Sequence, residues 1–349
     1  MLRIVKIRLS IGTAAALGLA RLKSDALPTT AYLMDTGGRC AHNCAFCAQA
    51  REAETGEDYL SRVIWPVYDL EDVLSGLITA ARRGTVRRAC IQVTLNAGSF
   101  ERTLVILKAV TNAVALPVSV STNITSASQV DQLMGNEAAR VSIALDAATQ
   151  SLHDQVKGTG YARKVQLLTE CARRYPGRIT THFIVGLGES EEDVIAAIQN
   201  MHDLNVTVGL FAFTPLRGTR MAKCPPPEAG RYRRVQLANW LIKTKRRRVS
   251  DMSFSNGKLT GIDGDMKELL SVLSSGEAFE TAGCRDCNRP YYNENPGHGV
   301  MYNYPRPLKN SEVIHALKET RLFAQTDLND LAPATDGETR RCPHEMAIH

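Results

Sequence analysis

An α/β fold with a parallel sheet is predicted for this 349-residue chain. Three observations predict it. Short apolar, β-type runs alternate with helix-period segments six times through the middle of the sequence. Several of the helical segments open on capping residues. The polar and Gly-rich motifs fall after the strands.

The opening stretch, Met1–Ser10, is basic and apolar. Ile11–Leu19 matches part of a secretory core, but reads equally as a short amphipathic helix with Ile11, Ala15, Leu19 and Leu22 on one side. Residues 1–28 are therefore expected to form a helical extension. Six strands are then expected at Ala31–Met34, Ala89–Leu95, Val118–Thr122, Val141–Leu145, Ile179–Val185 and Thr207–Phe213.

Helices are expected between them. Asp69 precedes a stripe of Leu70, Val73, Leu77 and Ala81, with Asp72 three residues on and Gly84 as a stop. Ser190 precedes Val194, Ile198 and Met201, with Asp193 three residues on. Both read as capping boxes, in which a side-chain oxygen accepts an orphan backbone N–H. Tyr161–Tyr175 carries Val165, Leu168, Ala172 and Tyr175 on one face.

Repeated strand–helix units mean parallel strands with right-handed crossovers. Six are too few for a closed eight-fold barrel, which leaves a partial barrel or a doubly wound sheet. The barrel region is expected over 29–250 and a C-terminal extension over 251–324. Met252–Leu259 is a further strand candidate, whereas 281–308 is rich in Asn, Pro, Gly and Tyr without helical period. The polar stretch 325–349 is expected to be mobile.

Composition is that of an ordinary soluble α/β protein, and no apolar run approaches the ~20 residues of a membrane span. Nine cysteines is an odd number in a chain neither small nor visibly secreted, so metal or redox chemistry in a reducing cytoplasm is favoured over a disulfide framework. The net charge of +6 is concentrated in Lys243–Arg248 and in Arg82, Arg83, Arg87 and Arg88. A solvated helix end explains such runs, and so does an acidic partner. Interleaved aromatics for base stacking are absent, which argues against nucleic acid.

The chemistry is concentrated in Cys40-Ala-His-Asn-Cys44-Ala-Phe-Cys47, directly after the first strand, with Gly37 and Gly38 making the loop pliable. Three thiolates in eight residues suit three corners of a [4Fe–4S] cube, leaving the fourth iron free. A structural zinc site wants four ligands, and His42 as the fourth lies awkwardly between two of the cysteines.

This C-x3-C-x2-C run, with an aromatic before its last cysteine, resembles the signature of the radical S-adenosylmethionine (SAM) superfamily. The resemblance implies a partial (βα)6 TIM-type barrel, a [4Fe–4S] cluster on Cys40, Cys44 and Cys47, and SAM chelated to the open iron. It also implies Phe46 near the adenine. His182-Phe-Ile184-Val-Gly186-Leu-Gly188-Glu189 resembles the family's G-x-I-x-G-x-x-E adenine-binding stretch; Ile184, Gly186 and Glu189 fit, and His182 replaces the first glycine. Thr214-Pro-Leu-Arg217-Gly218-Thr219 resembles a further family run. Asn123 and Asp146 stand where ribose-binding groups are expected, or serve as turn residues. Thr94-Leu-Asn96-Ala-Gly98 replaces the family's glycine-glycine-glutamate motif.

Cys284-Arg-Asp-Cys287 lies in a segment without core periodicity, so a metal role is favoured over burial, with a redox dithiol as the alternative. An auxiliary iron–sulfur cluster is expected there, with Cys224 as third ligand and Cys342 as a weaker one. Cys90 and Cys171 read as core positions. Cys44-Ala-Phe-Cys47-Ala-Gln49, together with residues 291–294 and 304–307, resembles the biotin synthase and lipoyl synthase branch, closest to the two-protein lipoyl synthases. That resemblance implies sulfur insertion into a protein-bound octanoyl chain, a lipoyl-type carrier domain, a partner synthase and a reductant such as ferredoxin or flavodoxin. The rivals are a biotin synthase-like enzyme and a structural metal-binding protein.

Overall fold

The computed structural model describes residues 6–294, 299–329 and 331. Cys342, with residue 330 and the rest of residues 332–349 of the expected mobile tail, lies outside them. The elements run β1 (Lys6–Leu9), α1 (Ile11–Ala16), β2 (Thr30–Met34), β3 (Tyr59–Leu60), β4 (Val63–Ile64), β5 (Val67–Asp69), α2 (Leu70–Arg82), β6 (Arg88–Gln92) and α3 (Ser99–Ala113). Then come β7 (Val118–Ser121), α4 (Ala127–Gly135), β8 (Arg140–Ser142), α5 (Gln150–Val156), α6 (Tyr161–Arg174), β9 (Ile179–Val185), α7 (Glu191–Asp203), β10 (Thr207–Ala212) and α8 (Ala229–Lys243). The extension adds β11 (Met252–Ser255), β12 (Lys258–Ile262), α9 (Met266–Leu273), α10 (Asn310–Thr320) and α11 (Gln325–Asn329).

All six expected strands form. They pair parallel in the order β10-β9-β8-β7-β6-β2. Sequential order without reversal is the winding of a barrel; a doubly wound sheet reverses at a switch point. The α/β fold is thus a six-stranded partial barrel. β1 and β5, which the sequence did not reveal, continue the sheet beyond β2 by antiparallel pairing. The strand expected at Met252–Leu259 is a hairpin, because Asn256 and Gly257 both adopt positive φ between β11 and β12.

The pleat sorts side chains by face. Ala31 and Leu33 of β2, Ala89 and Ile91 of β6, and Val118 and Val120 of β7 pack outward into the main core beneath the helices. Tyr32 and Met34 instead form an inner cluster with Trp65, Cys90, Cys287 and Tyr292. The space enclosed by the inner face is the bore.

The two expected capping boxes part ways. Ser190 and Asp193 form theirs, whereas Asp69 makes no cap and stands 3.9 Å from Lys6 across the β1–β5 pair. Helix α1 buries Thr13 and Ala14, not the expected face, because Thr13 Oγ1 accepts the Tyr32 N–H at 2.9 Å. Helix α8 is buried from Tyr232 to Ile242 since the extension covers its outer side. Its charges are paired there: Arg234 with Glu191 at 2.6 Å and Arg233 with Glu319 at 2.8 Å.

Candidate active site

The loop after β2 carries the cysteine triplet and is tied down at both ends. The Arg102 guanidinium meets the buried Asp35 carboxylate at 2.5 Å, and buried Gln49 donates to the carbonyls of Glu57 and Tyr59 at 2.9 and 2.6 Å. Thr94 and Asn96 donate to the Gly38 carbonyl at 3.1 and 3.0 Å. The Thr94–Gly98 stretch therefore positions the cysteine loop. Cys47 N–H bonds the Cys44 carbonyl at 3.2 Å, so the chain turns back between the two.

The three cysteines line one mouth of the bore, on a cavity of about 300 Å³. Phe46, Asn123, Asp146 and Ile184 line it too. Burial, with Cys44 next, pushes the Cys47 thiol up to about 12; burial likewise raises Cys44 to about 11. Among the described residues, no three His, Cys, Asp or Glu side chains converge on a point fit for a single ion. A tetrahedral zinc, with Zn–S about 2.3 Å, holds its sulfurs about 3.8 Å apart; a cube spreads its thiolates over separate irons. Three thiols on one loop beside the cavity suit three corners of a cluster, with the fourth corner facing that cavity.

Other expected residues lie elsewhere. Glu189 does not line the cavity: its carboxylate accepts the N–H groups of Gly186, Leu187 and Gly188 at 2.7, 3.0 and 3.1 Å and pairs with Arg231 at 3.0 Å. It closes the turn after β9. Gly186 serves the same turn, with φ +104° and Pro227 2.9 Å from where a Cβ would stand. Cys224 does not join Cys284 and Cys287; it packs beside Phe46, Ile184 and Met221 at the mouth. Cys171 is a buried helix residue as expected, but Cys90 faces the bore.

A polar group completes the wall: the sequence singles out Asp146 and His182, but not Lys157 and Lys164. Asp146 (φ +64°) pairs with Lys157 and stands 2.5 Å from His182 Nε2. Burial opposes its charge, but Lys157 and His182 hold its carboxyl far below the usual range. Lys164 lines the cavity beside them, and burial together with Lys157 lowers it to about 8. These four come from separate elements, and no spacing marks Lys157 and Lys164 as their partners.

A second cavity, about 780 Å³, opens on the flank between the β3–β4 hairpin and residues 10–28. Ile11, Val63, Tyr32 and Arg289 line it, and Tyr292 forms part of the wall of both cavities. Leu22 and Ile64 stand exposed at its edge.

Residues 34–201 match the model of the Radical SAM superfamily. The chain is 27% identical to the biotin synthase of Synechococcus sp. (strain JA-3-3Ab) over 262 residues, covering 70% of this chain and 82% of that one. It is 28% identical to the biotin synthase of Syntrophus aciditrophicus (strain SB) over 214 residues, 59% of this chain and 64% of that one. Among solved structures, HydG, a maturase of the [FeFe]-hydrogenase, superposes with a TM-score of 0.50 at 11% identity, over 61% of this chain and 50% of HydG. No helix among the described residues is long and apolar enough to cross a membrane. The triplet-bearing loop at the mouth of the six-stranded barrel lies within the span, residues 34–201, that matches the Radical SAM superfamily model.

Proposed function

We propose that this enzyme inserts sulfur into an unactivated C–H bond of an octanoyl-type chain held on a carrier-domain lysine. The observation that carries this reading is that Cys284 and Cys287 approach the same bore whose mouth holds the triplet. Cys40, Cys44 and Cys47 would hold the [4Fe–4S] cluster that the family implies, which supplies the electron for reductive cleavage of SAM to a 5′-deoxyadenosyl radical.

The chain's own residues then bind, orient and exclude water. Phe46 and Ile184 offer apolar surface for an adenine, and Asn123 and Asp146 offer polar groups for a ribose. Lys157 and Lys164 place positive charge beside Cys44, where a carboxylate-bearing ligand would meet it. A carbon radical must be kept from water, and Met34, Phe211 and Tyr292 give the cavity an apolar wall. The flank cavity suits a linear apolar chain, with Leu22 and Ile64 exposed at its edge toward a macromolecular carrier. A partner synthase would perform the other of two insertions, and a ferredoxin or flavodoxin would supply electrons.

A second reading, insertion into dethiobiotin, is favoured by the two biotin synthases that the chain resembles. Incubating the reduced, reconstituted enzyme with octanoyl-lysyl peptide and with dethiobiotin separates the two. Thiolated octanoyl peptide is expected, and thiolated dethiobiotin alone would replace this reading with the second.

A further inference from the structure

We propose that the open seam of the partial barrel is an acyl channel, in which Arg62 holds the carbonyl of the incoming chain and Tyr292 sets how much of that chain reaches the bore. The assignment deepens the sulfur-insertion reading, on which the identity of the chain rests; the channel itself stands on geometry.

The sheet leaves the bore open along one side. β10 ends it, and among the described residues no ladder joins β10 to β2 or β1. Tyr292 fills that seam. Its ring centroid lies 5.7 Å from that of Phe211 on β10, and it packs against Tyr32 and Met34 of β2. The triplet's cavity, about 300 Å³, lies on one side of Tyr292, and the flank cavity, about 780 Å³, lies on the other. A chain tethered to a macromolecule cannot enter whole, and a side opening admits the chain while its carrier stays outside.

The β3–β4 turn stands on the same divide. Leu60 and Ser61 line the triplet's cavity, whereas Arg62, Val63 and Ile64 line the flank cavity. Ser61, with φ +53°, donates its hydroxyl to the Tyr292 carbonyl at 3.2 Å. That bond ties Tyr292 to the turn that carries Arg62. Ring and guanidinium are thereby held at a set separation, as a measure of chain length requires.

Arg62 enters the flank cavity without an internal partner. It is half-buried, and among the described residues it makes no hydrogen bond or ion pair. Burial works against its charge, and Glu294 only partly offsets that. Glu294 lines the same cavity, but its carboxylate is engaged by the Asn303 N–H at 2.9 Å, the Asn303 side-chain amide at 3.1 Å and the Asn293 N–H at 3.1 Å. A half-buried guanidinium beside apolar groups such as Ile11, Pro28 and Val63 gains from an acceptor that arrives on an apolar chain. An acyl carbonyl meets both requirements. Its oxygen accepts from Arg62, and its chain runs past Val63 toward Tyr292. Leu22 and Ile64, exposed at the outer edge, then face the carrier.

Calorimetric binding to the reconstituted full chain tests the channel, with lysyl peptides acylated by hexanoyl, octanoyl, decanoyl or dodecanoyl groups. The octanoyl peptide is expected to bind wild type best. Arg62→Met should weaken every length by about tenfold or more, because it removes a charge-assisted hydrogen bond. Arg62→Lys should recover part of the loss. Tyr292→Ala should instead move the preference to decanoyl or dodecanoyl, while Tyr292→Phe keeps it at octanoyl; a merely structural defect would not shift the optimum. Iron per chain checks the fold of each variant, and Tyr292→Leu carries the same expectation should the alanine variant not load. Equal affinities for wild type and Arg62→Met, an unmoved optimum in the Tyr292 variants, or no binding of any acyl peptide would overturn the channel. Peptides that bind with the expected pattern, yet are returned without sulfur, would support the channel and remove the sulfur-insertion reading.

Discussion

Nε2 of His182 stands 2.5 Å from the Asp146 carboxylate, on the strand beside it, and Lys157 pairs with the same carboxylate from the end of α5. Asp146 has positive φ, a conformation that Asn shares readily. Asp146→Asn therefore removes the charge while keeping the backbone. It leaves Lys157 and Lys164 enclosed without their anion. The variant is expected to lose about 3–5 kcal/mol of stability, read as a lower denaturant midpoint. An unchanged midpoint would show that the ion pair is solvated.

Lys164 adds a pH dependence with a defined sign. Its folded pKa is lowered to about 8, from an unfolded value of 10.5. Between those values the unfolded chain still binds a proton that the native chain has released. Stability contributed by this group must then rise with pH across that window. Cluster-free wild type should gain stability relative to Lys164→Met between pH 8 and 10.5, measured by urea unfolding at both ends. A difference that shrinks over the window contradicts the assignment.

The cysteine loop depends on one enclosed pair. Asp35 is almost fully buried and its charge is met by Arg102. Arg102→Met leaves that carboxylate uncompensated, at a cost of about 3–5 kcal/mol. Because Arg102 also binds Asn96 and the Ala97 carbonyl, the loop loses its anchor to the β6–α3 connection. Iron retained after desalting should fall well below that of wild type, and equal retention would remove the anchoring role.

Gly186 is required by its backbone. Alanine there adds a left-handed penalty of about 1–2 kcal/mol, plus a clash with the rigid Pro227 ring at 2.9 Å. Thermal unfolding of Gly186→Ala should show the loss. A melting temperature equal to wild type would mean that the turn can relax.

How far the sequence was legible follows from where its signals are local. The six barrel strands and the Ser190 cap were readable because hydrophobic period and capping chemistry lie within a few residues. β1 and β5 were not, since short edge strands show nothing of their partners. The same holds for function. Cys40, Cys44 and Cys47 stand out by spacing alone. Cys90 looks like any apolar strand residue, and only register with Tyr32 reveals that it faces the bore. Glu189 matched a motif, yet the fold uses its carboxylate to close a turn. Arg247 and Arg248 read as a free basic run, but Arg248 meets Asp203 at 2.8 Å and Arg247 donates to the Asp263 carbonyl at 2.7 Å.

The central claim is that the triplet at the mouth of the bore drives SAM cleavage. The direct measurement is 5′-deoxyadenosine released by the reconstituted, dithionite-reduced enzyme given SAM, compared with its Cys44→Ala variant. Release by the wild type, lost in the variant, is the predicted result; no release from a cluster-loaded wild type, or equal release from both, would contradict it.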